Sequence, residues 1–378
     1  MGGRGRYLAR CFAERPRLAL RAVCDSDPEA LKICRRMFGD QVAYYHNLKK
    51  MCAQEDLQIG VIASWDRCHR DHAVTMLEHD LNVYLEKPMA QSVRDCDEIL
   101  RAWKKSSGLL LVGLELRHCT LCRDIRRLLD RGEIGEVKVG MAVDNVSVGG
   151  QYYFHGRQRR KDFIKSLVLE KGTHTLDLMN WFVGARPVRV FAEGGLDFFG
   201  GRISNARRCR NCRQRQSCNY YIDYRNFLMD YGVSVTKQDF CVWAREIDVE
   251  DNTVMTVRYD NGAKITYTEC HFTPDYNRHF TLIGGRGRLT AFYNNEQEFV
   301  IRVQKRMDTK VVEYHPPRSA GGHGGGDPRI LDDFLAKVRR GEHACPGVLD
   351  ARNSAAIAIA AAESSETQKP VTIPRCFM

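Results

Sequence analysis

Up to about Gly113, short β-branched or leucine-rich runs alternate with segments of helical period, which is the rhythm of a parallel α/β sheet. "LALRAVCD" ends at Asp25, and "PEALKICRRMF" opens a helix with Pro28 in its first turn. "QVAYY" precedes the helix "NLKKMCAQED", and "IGVIAS" is a buried strand followed by a helix over His69 to Glu78. "NVYLEKP" and "LLLVGLEL" supply further strands, with a helix from Ser92 to Ser106 between them. After the helix "TLCRDIRRLLDRGEIG" the pattern becomes longer and alternating, in "VKVGMAVDNV", "VRVFAEGG", "NTVMTVRYDNGAKITYTECHF", "HFTLIGGRGRLTAFY" and "EFVIRVQK". "YDNGAKITY" carries an Asn-Gly hairpin turn. Helices are expected near "THTLDLMNWF", "DPRILDDFLAKVRRG" and "ARNSAAIAIAAAESS".

The expected architecture is therefore α/β, with an N-terminal Rossmann-like doubly wound parallel sheet over residues 1–117 and an α+β domain over 118–378 whose sheet is mostly antiparallel. The least regular stretch, about 197–241, reads as a cysteine-rich insertion in the second domain. A chain of 378 residues can bury two cores of this kind. Hydrophobic content of 43% and charged content of 28% are those of a soluble globular protein, and no apolar run is long enough to span a bilayer, so a cytoplasmic location is expected. The net charge of +11 is spread along the chain, which favours a solvated basic face or an anionic small molecule over a nucleic-acid or membrane surface.

Among the fifteen cysteines, most sit singly in hydrophobic segments, where a reduced thiol packs as a small hydrophobe. "CRNCRQRQSC" differs: Cys209, Cys212 and Cys218 have metal-like spacing, and Cys241 of "DFCVW" is the candidate fourth ligand of a structural zinc. An iron–sulfur cluster or a plain thiol group are the alternatives.

The chain opens "MGGRGRYLAR". Gly2, Gly3 and Gly5 fit the later part of a G-x-G-x-x-G nucleotide loop, whose backbone and helix N-terminus would meet a pyrophosphate. The loop's first glycine and the strand before it are absent from the sequence, and are expected upstream; without them, weak NAD affinity is expected. Asp25, about twenty residues on at a strand end, suits the ribose hydroxyls and disfavours a 2′-phosphate, hence NAD over NADP. Glu86-Lys87-Pro88 follows another strand at the same carboxyl edge of the sheet.

The run Asp66-x-x-His69-x-x-x-Ala73, then Glu86-Lys87-Pro88, "VGLELRH", "LLDRGEIGEV" and "EKGTHTLDLMNWFVGARPVRV" together resemble the glucose–fructose oxidoreductase, inositol dehydrogenase and rhizopine-catabolism (Gfo/Idh/MocA) family over nearly the whole chain. The resemblance implies NAD(P)-dependent hydride transfer at a secondary alcohol of a sugar, glycoside or cyclitol, and a homo-oligomer formed through the C-terminal sheet. It implies Lys87 as a contact to nicotinamide and substrate, and His174 as general acid/base. Ser64, His69, Glu86 and Arg117 join the expected cofactor set. Glu170 stands where the family often has aspartate, and Asp177, on the face of His174, is the expected orienter of the imidazole.

"YYFHGRQRRKDF" and "GGHGGGDPRILDDF" resemble segments of one branch of the family and add Tyr153, His155, His323 and Asp327 as expected substrate residues, beside Lys171, which flanks His174. Gly156, Arg157 and the stretch "KSLVL" depart from that branch, so its substrate does not transfer. Two rival functions remain: an NAD-dependent glycosidase working by oxidation and elimination, and a non-catalytic sugar sensor with impaired NAD binding.

Overall fold

The computed structural model describes residues 1–147, 149, 153–223, 239–294, 299–343 and 347–376. Its N-terminal part runs α1 (Gly3–Ala13), β1 (Ala22–Cys24), α2 (Pro28–Phe38), β2 (Ala43–Tyr45), α3 (Leu48–Gln54), β3 (Ile59–Ile62), α4 (His69–Glu78), β4 (Asn82–Leu85), α5 (Val93–Lys105) and β5 (Leu110–Val112). The expected helix starts are present as caps. Asp27 accepts from the Glu29 N–H, Asn47 from Lys50 and Ser92 from Asp95, each satisfying a donor that the helix leaves unpaired.

The parallel strands form two separate groups, β1–β2 and β3–β4–β5. The facing edges of β1 and β3 are not bonded to each other, and a cleft of about 2300 Å³ includes Ala22–Cys24 and Ile59–Ile62 in its walls. The strand read in "LALRAVCD" is only three residues long, because its edge toward β3 has no ladder partner to extend it.

After α6 (Thr120–Asp130) come β6 (Val137–Val146), α7 (Lys161–Ile164), α8 (Thr173–Val183), β7 (Pro187–Gly195), β8 (Asn252–Tyr259) and β9 (Lys264–Cys270). They are followed by β10 (Tyr276–Gly284), β11 (Gly287–Tyr293), β12 (Val300–Lys305), β13 (Val311–Tyr314), α9 (Gly322–Arg339), α10 (Val348–Thr367) and β14 (Val371–Thr372). Nine strands form one sheet in the order β13-β12-β11-β10-β6-β9-β8-β7-β14. All its pairs are antiparallel except β6–β9, which is parallel, so the expected sheet type holds with one exception. Strand β13 carries no expectation from the sequence. It is a four-residue edge strand with three exposed residues, too short and polar for alternation to reveal.

Helices α8 and α10 cover one face of this sheet, and their buried Leu176, Met179, Ala355 and Ile357 share a core with Val190, Met255 and Ile265. Helix α9 instead returns to the N-terminal part. Ile330, Leu331, Phe334 and Leu335 pack with Leu8 and Phe12 of α1 and with Tyr84 of β4. That packing brings the glycine-rich entry of α9 next to the first turn of α1, and so closes one end of the cleft.

Candidate active site

Four segments meet at the cleft: the start of α1, the strand end carrying Glu86 and Lys87, the start of α8, and the entry to α9. Helix α1 begins without a side-chain cap and without an acidic residue in its first turn, the kind of helix N-terminus at which an anion is favoured. Gly2, Gly3, Gly5, Asp25, Ser64, His69, Glu86 and Lys87 all line the cleft. A Cβ at Gly5 would sit 3.7 Å from the Ala63 side chain, so α1 passes within van der Waals contact of the end of β3. Asp25 stands at the end of β1, beside the Met1 amino group, and accepts from the Asp27 N–H. An uncapped helix N-terminus and a carboxylate at a neighbouring strand end fit the pyrophosphate and ribose of NAD.

Before α8 the chain makes a π turn over Val168–Gly172. A Cβ at Gly172 would lie 2.7 Å from Glu269 Oε2 and 3.0 Å from Tyr267 Oη, so only glycine lets the turn pass the β9 side chains. The turn presents Glu170 and Lys171, and His174 follows on the first turn of α8; all three line the cleft. The Lys87 ammonium donates to the Glu170 carbonyl oxygen at 2.7 Å, tying the strand end to the turn. Lys171 Nζ donates to Tyr276 Oη at 3.2 Å and lies 3.7 Å from Asp144. Asp144 is also paired with Arg278, 3.0 Å away and 1% exposed.

His174 is 3% exposed, and neither ring nitrogen has a hydrogen-bond partner. Burial, reinforced by His323, Lys87 and Lys171, pushes its pKa well below the ordinary histidine value. The imidazole is therefore held neutral. Glu170 is pushed up to about 7, chiefly by burial and against the pull of Lys87. Glu115, fully buried, is pushed up to about 8 by burial and then by Glu86, with Arg4 opposing. His323 adopts a left-handed backbone, φ 52°, followed by Gly324 at 62° and Gly325 at 82°. This conformation is rare for a side chain larger than glycine, and it turns the imidazole to within 4.9 Å of the His174 ring centre.

The sequence left Arg4 and Glu115 unassigned. Arg4 donates to Glu86 Oε1 at 2.7 Å, to Glu115 Oε1 at 2.6 Å and to Asp327 Oδ1 at 2.9 Å. Glu115 stands within "VGLELRH", directly past a strand at the cofactor edge, and that placement was its one local signal. Arg278 and Asp144 also went unassigned, although each is a charged residue at an inward position of an alternating strand.

Several expected roles are corrected. Asp177 does not orient His174: both its oxygens accept from Arg117, at 2.7 Å each. Arg117, engaged with Asp177 and 3.0 Å from Asp350, does not line the cleft and offers nothing to a cofactor there. Asp327 lies behind His323, bonded to its Nδ1 at 3.0 Å, and is a positioning residue rather than a pocket wall. His69 packs between the Pro88 carbonyl, 2.7 Å from its Nδ1, and that of Ser64, 3.1 Å from its Nε2, and donates its one N–H between these two backbone segments rather than to a ligand. Ser64 Oγ is bonded to His72 Nδ1 at 2.9 Å.

His155 is absent from the cleft. Its ring nitrogens bond to the carbonyls of Phe240 and Tyr220, and it lines a separate pocket of about 400 Å³ with Cys209, Cys212, Cys218 and Cys241. The four cysteines thus do face one space, but among the described residues no three of them bring sulfurs within 4.8 Å of one another. They are not arranged as a closed zinc cage. Tyr153 does line the cleft, its ring edge-on to His271 at 5.3 Å.

Comparison with known proteins places both domains among oxidoreductases. Residues 1–114 match the model "Oxidoreductase family, NAD-binding Rossmann fold", and residues 126–373 match "Oxidoreductase family, C-terminal alpha/beta domain". A Bacillus subtilis (strain 168) protein named as an oxidoreductase, YteT, is 28% identical over 399 residues, covering 93% of this chain and 91% of YteT. In fold, the chain is similar to myo-inositol 2-dehydrogenase from Lactobacillus plantarum, with TM-score 0.70, 19% identity, and 98% and 96% of the two chains covered. It is also similar to a levoglucosan dehydrogenase solved with NADH and levoglucosan, with TM-score 0.72, 16% identity, and the same coverage. No helix among the described residues is long and apolar enough to cross a membrane. A nucleotide-type helix N-terminus, a lysine at a sheet edge and a buried unpartnered histidine, within two matched domain models, place this chain in the Gfo/Idh/MocA oxidoreductase family, whose N-terminal domain binds NAD.

Proposed function

We propose that the protein oxidises or reduces a secondary-alcohol carbon of a sugar, glycoside or cyclitol, using NAD rather than NADP. The observation that carries this reading is His174: a neutral, buried imidazole with two unpartnered nitrogens, facing the same cleft as Lys87 and Lys171. Bound NAD supplies the hydride acceptor. His174 takes the hydroxyl proton as the carbon–hydrogen bond breaks, giving ketone, NADH and a proton. Lys87, held by the Glu170 carbonyl, stabilises the developing alkoxide. Lys171, held by Tyr276 and Asp144, and His323, held by Asp327, bind neighbouring hydroxyls. Asp25 would repel a 2′-phosphate. Dehydrogenase relatives named for inositol and levoglucosan support the polyol class.

The test is a screen of cyclitols, aldoses and glycosides for NADH absorbance, followed by His174→Asn and Lys87→Met on the best substrate. Each substitution is expected to lower kcat by about 10²- to 10⁴-fold while NAD binding stays. Unchanged turnover in His174→Asn would remove the imidazole from the chemistry.

A second reading, oxidation followed by elimination of an aglycone, is favoured by Glu170. Near neutrality it carries a proton to within the cleft that a leaving group could take. Aglycone release with no net NADH would select it. A homo-oligomer through the C-terminal sheet is supported by exposed Val139, Met141, Phe191 and Val254 on β6, β7 and β8.

A further inference from the structure

We propose that Glu115, His174 and His323 form a binding site for one divalent transition-metal ion, of zinc-like ligand preference, at the inner end of the cleft. One ligand-type atom from each of the three lies within 4.8 Å of the others, and among the described residues no other group of three or more does this. Two imidazoles and one carboxylate are a donor set suited to zinc and its neighbours, and three protein ligands leave positions open for water or a substrate oxygen.

Proximity alone would not make a site. The second observation is that the donors are unused. Glu115 Oε2 and both ring nitrogens of His174 are buried without hydrogen-bond partners, an arrangement that costs free energy unless something binds there. Glu115 Oε2 and His174 Nδ1 lie 4.0 Å apart, too far for a hydrogen bond but within reach of a shared cation.

His323 brings the outer-layer arrangement typical of metal sites. Its Nδ1 is bonded to Asp327, which leaves Nε2 as the nitrogen for a metal and fixes the ring. The left-handed backbone at His323 holds it opposite His174.

Charge points the same way. Glu86 and Asp327 share the single guanidinium of Arg4 with Glu115, so two carboxylates face one cation there even when Glu115 carries a proton. The two lysines of the cleft are drawn elsewhere, Lys87 to the Glu170 carbonyl and Lys171 to Tyr276 and Asp144. A dication on Glu115 offsets the excess. It also occupies the lone pair with which a metal-free His174 takes a proton, so metal-loaded and metal-free protein handle a substrate hydroxyl differently.

The test uses the full chain stripped of metal, with neither NAD nor substrate, so it stands or falls separately from the proposed reaction. Cobalt(II) is titrated and followed by visible absorption, and zinc by calorimetry. Cobalt bound at the cysteine pocket would show a near-ultraviolet thiolate charge-transfer band, whereas nitrogen and oxygen ligation gives ligand-field bands without it. The wild-type chain is expected to bind one equivalent of the second kind. His323→Ala and Glu115→Gln should each weaken that equivalent by about 100-fold or more, and Asp327→Asn by about 10- to 100-fold, with any thiolate band unchanged. Should His323→Ala fail to fold, the near-isosteric Glu115→Gln decides alone. Cobalt absorption that is entirely thiolate in character, or wild-type affinity in a folded Glu115→Gln, overturns the proposal.

Discussion

The sharpest disagreement between sequence and structure concerns Asp177, and it yields a decisive experiment. If Asp177 oriented His174, its removal would mainly slow the reaction. The structure instead places it in a bidentate pair with Arg117, both contacts 2.7 Å, with Asp177 1% exposed and the arginine side chain 13% exposed. Removing Arg117 as Arg117→Leu strands a buried carboxylate and should cost about 3–5 kcal/mol. Asp177→Leu removes the buried charge itself, and leaves Arg117 with Asp350, whose side chain is 39% exposed, 3.0 Å away. Its cost should be smaller, about 1.5–3 kcal/mol for the lost charge-assisted hydrogen bonds. Because both singles remove the same interaction, the double variant should cost far less than their sum. Urea denaturation of the four proteins gives these differences, and kcat on the best substrate is measured under conditions where each is folded. Stability should fall while kcat stays within about a factor of three, on the order of 0.6 kcal/mol in barrier. A stable Asp177→Leu with kcat down a hundredfold and a displaced pH profile would refute the structural assignment and restore the catalytic one.

Three further outcomes follow from individual contacts. Glu250, whose Oε1 accepts from the Val168 N–H at the start of the π turn, is pushed up to about 7 by burial. A carboxyl raised above its unfolded value near 4.5 adds stability fully present below pH 4.5 and lost as pH rises through 7, so Glu250→Gln should flatten that decline in urea midpoints measured from pH 4.5 to 8. Gly172→Ala would set a Cβ 2.7 Å from Glu269 Oε2 and 3.0 Å from Tyr267 Oη, and should reduce kcat more than NAD affinity by displacing Lys171 and His174, as steady-state kinetics beside NAD titration would show. Arg278→Met leaves Asp144 buried with Lys171 as its remaining cation, 3.7 Å away, and should cost about 3–5 kcal/mol in denaturant unfolding, whereas pairing it with Asp144→Leu should recover much of that loss.

Periodicity revealed most of the elements because each needed only a local signal: Asp27, Asn47 and Ser92 before helical runs, and alternation through β6 to β12. What it missed depended on partners distant in sequence. The parallel β6–β9 pair sits in a sheet whose other strands are antiparallel, and nothing within either strand encodes direction. His155 lies in a run resembling a pocket segment, yet its neighbours across the fold are the carbonyls of Phe240 and Tyr220. Asp177 shares a helix face with His174, but a guanidinium sixty residues away holds both of its oxygens. Helical spacing shows which residues are neighbours on one helix and is silent on what faces them.

Arg4 shows the same limit acting on function. In sequence it is one arginine in a basic, glycine-rich opening, indistinguishable from Arg6 or Arg10. In space its guanidinium joins the start of α1 to three segments of the cleft, through Glu86 beside Lys87, Glu115 beside His174, and Asp327 behind His323. A pyrophosphate settling on the N-terminus of α1 would place its negative charge beside this arginine, and any movement of the guanidinium toward it would loosen three carboxylates at once. An anion bound at α1 would in this way reach the electrostatics around His174 through one side chain. By reciprocity, whatever neutralises Glu115 or Asp327, a proton or a cation, alters the hold on Arg4 and hence the affinity of the α1 loop for an anion.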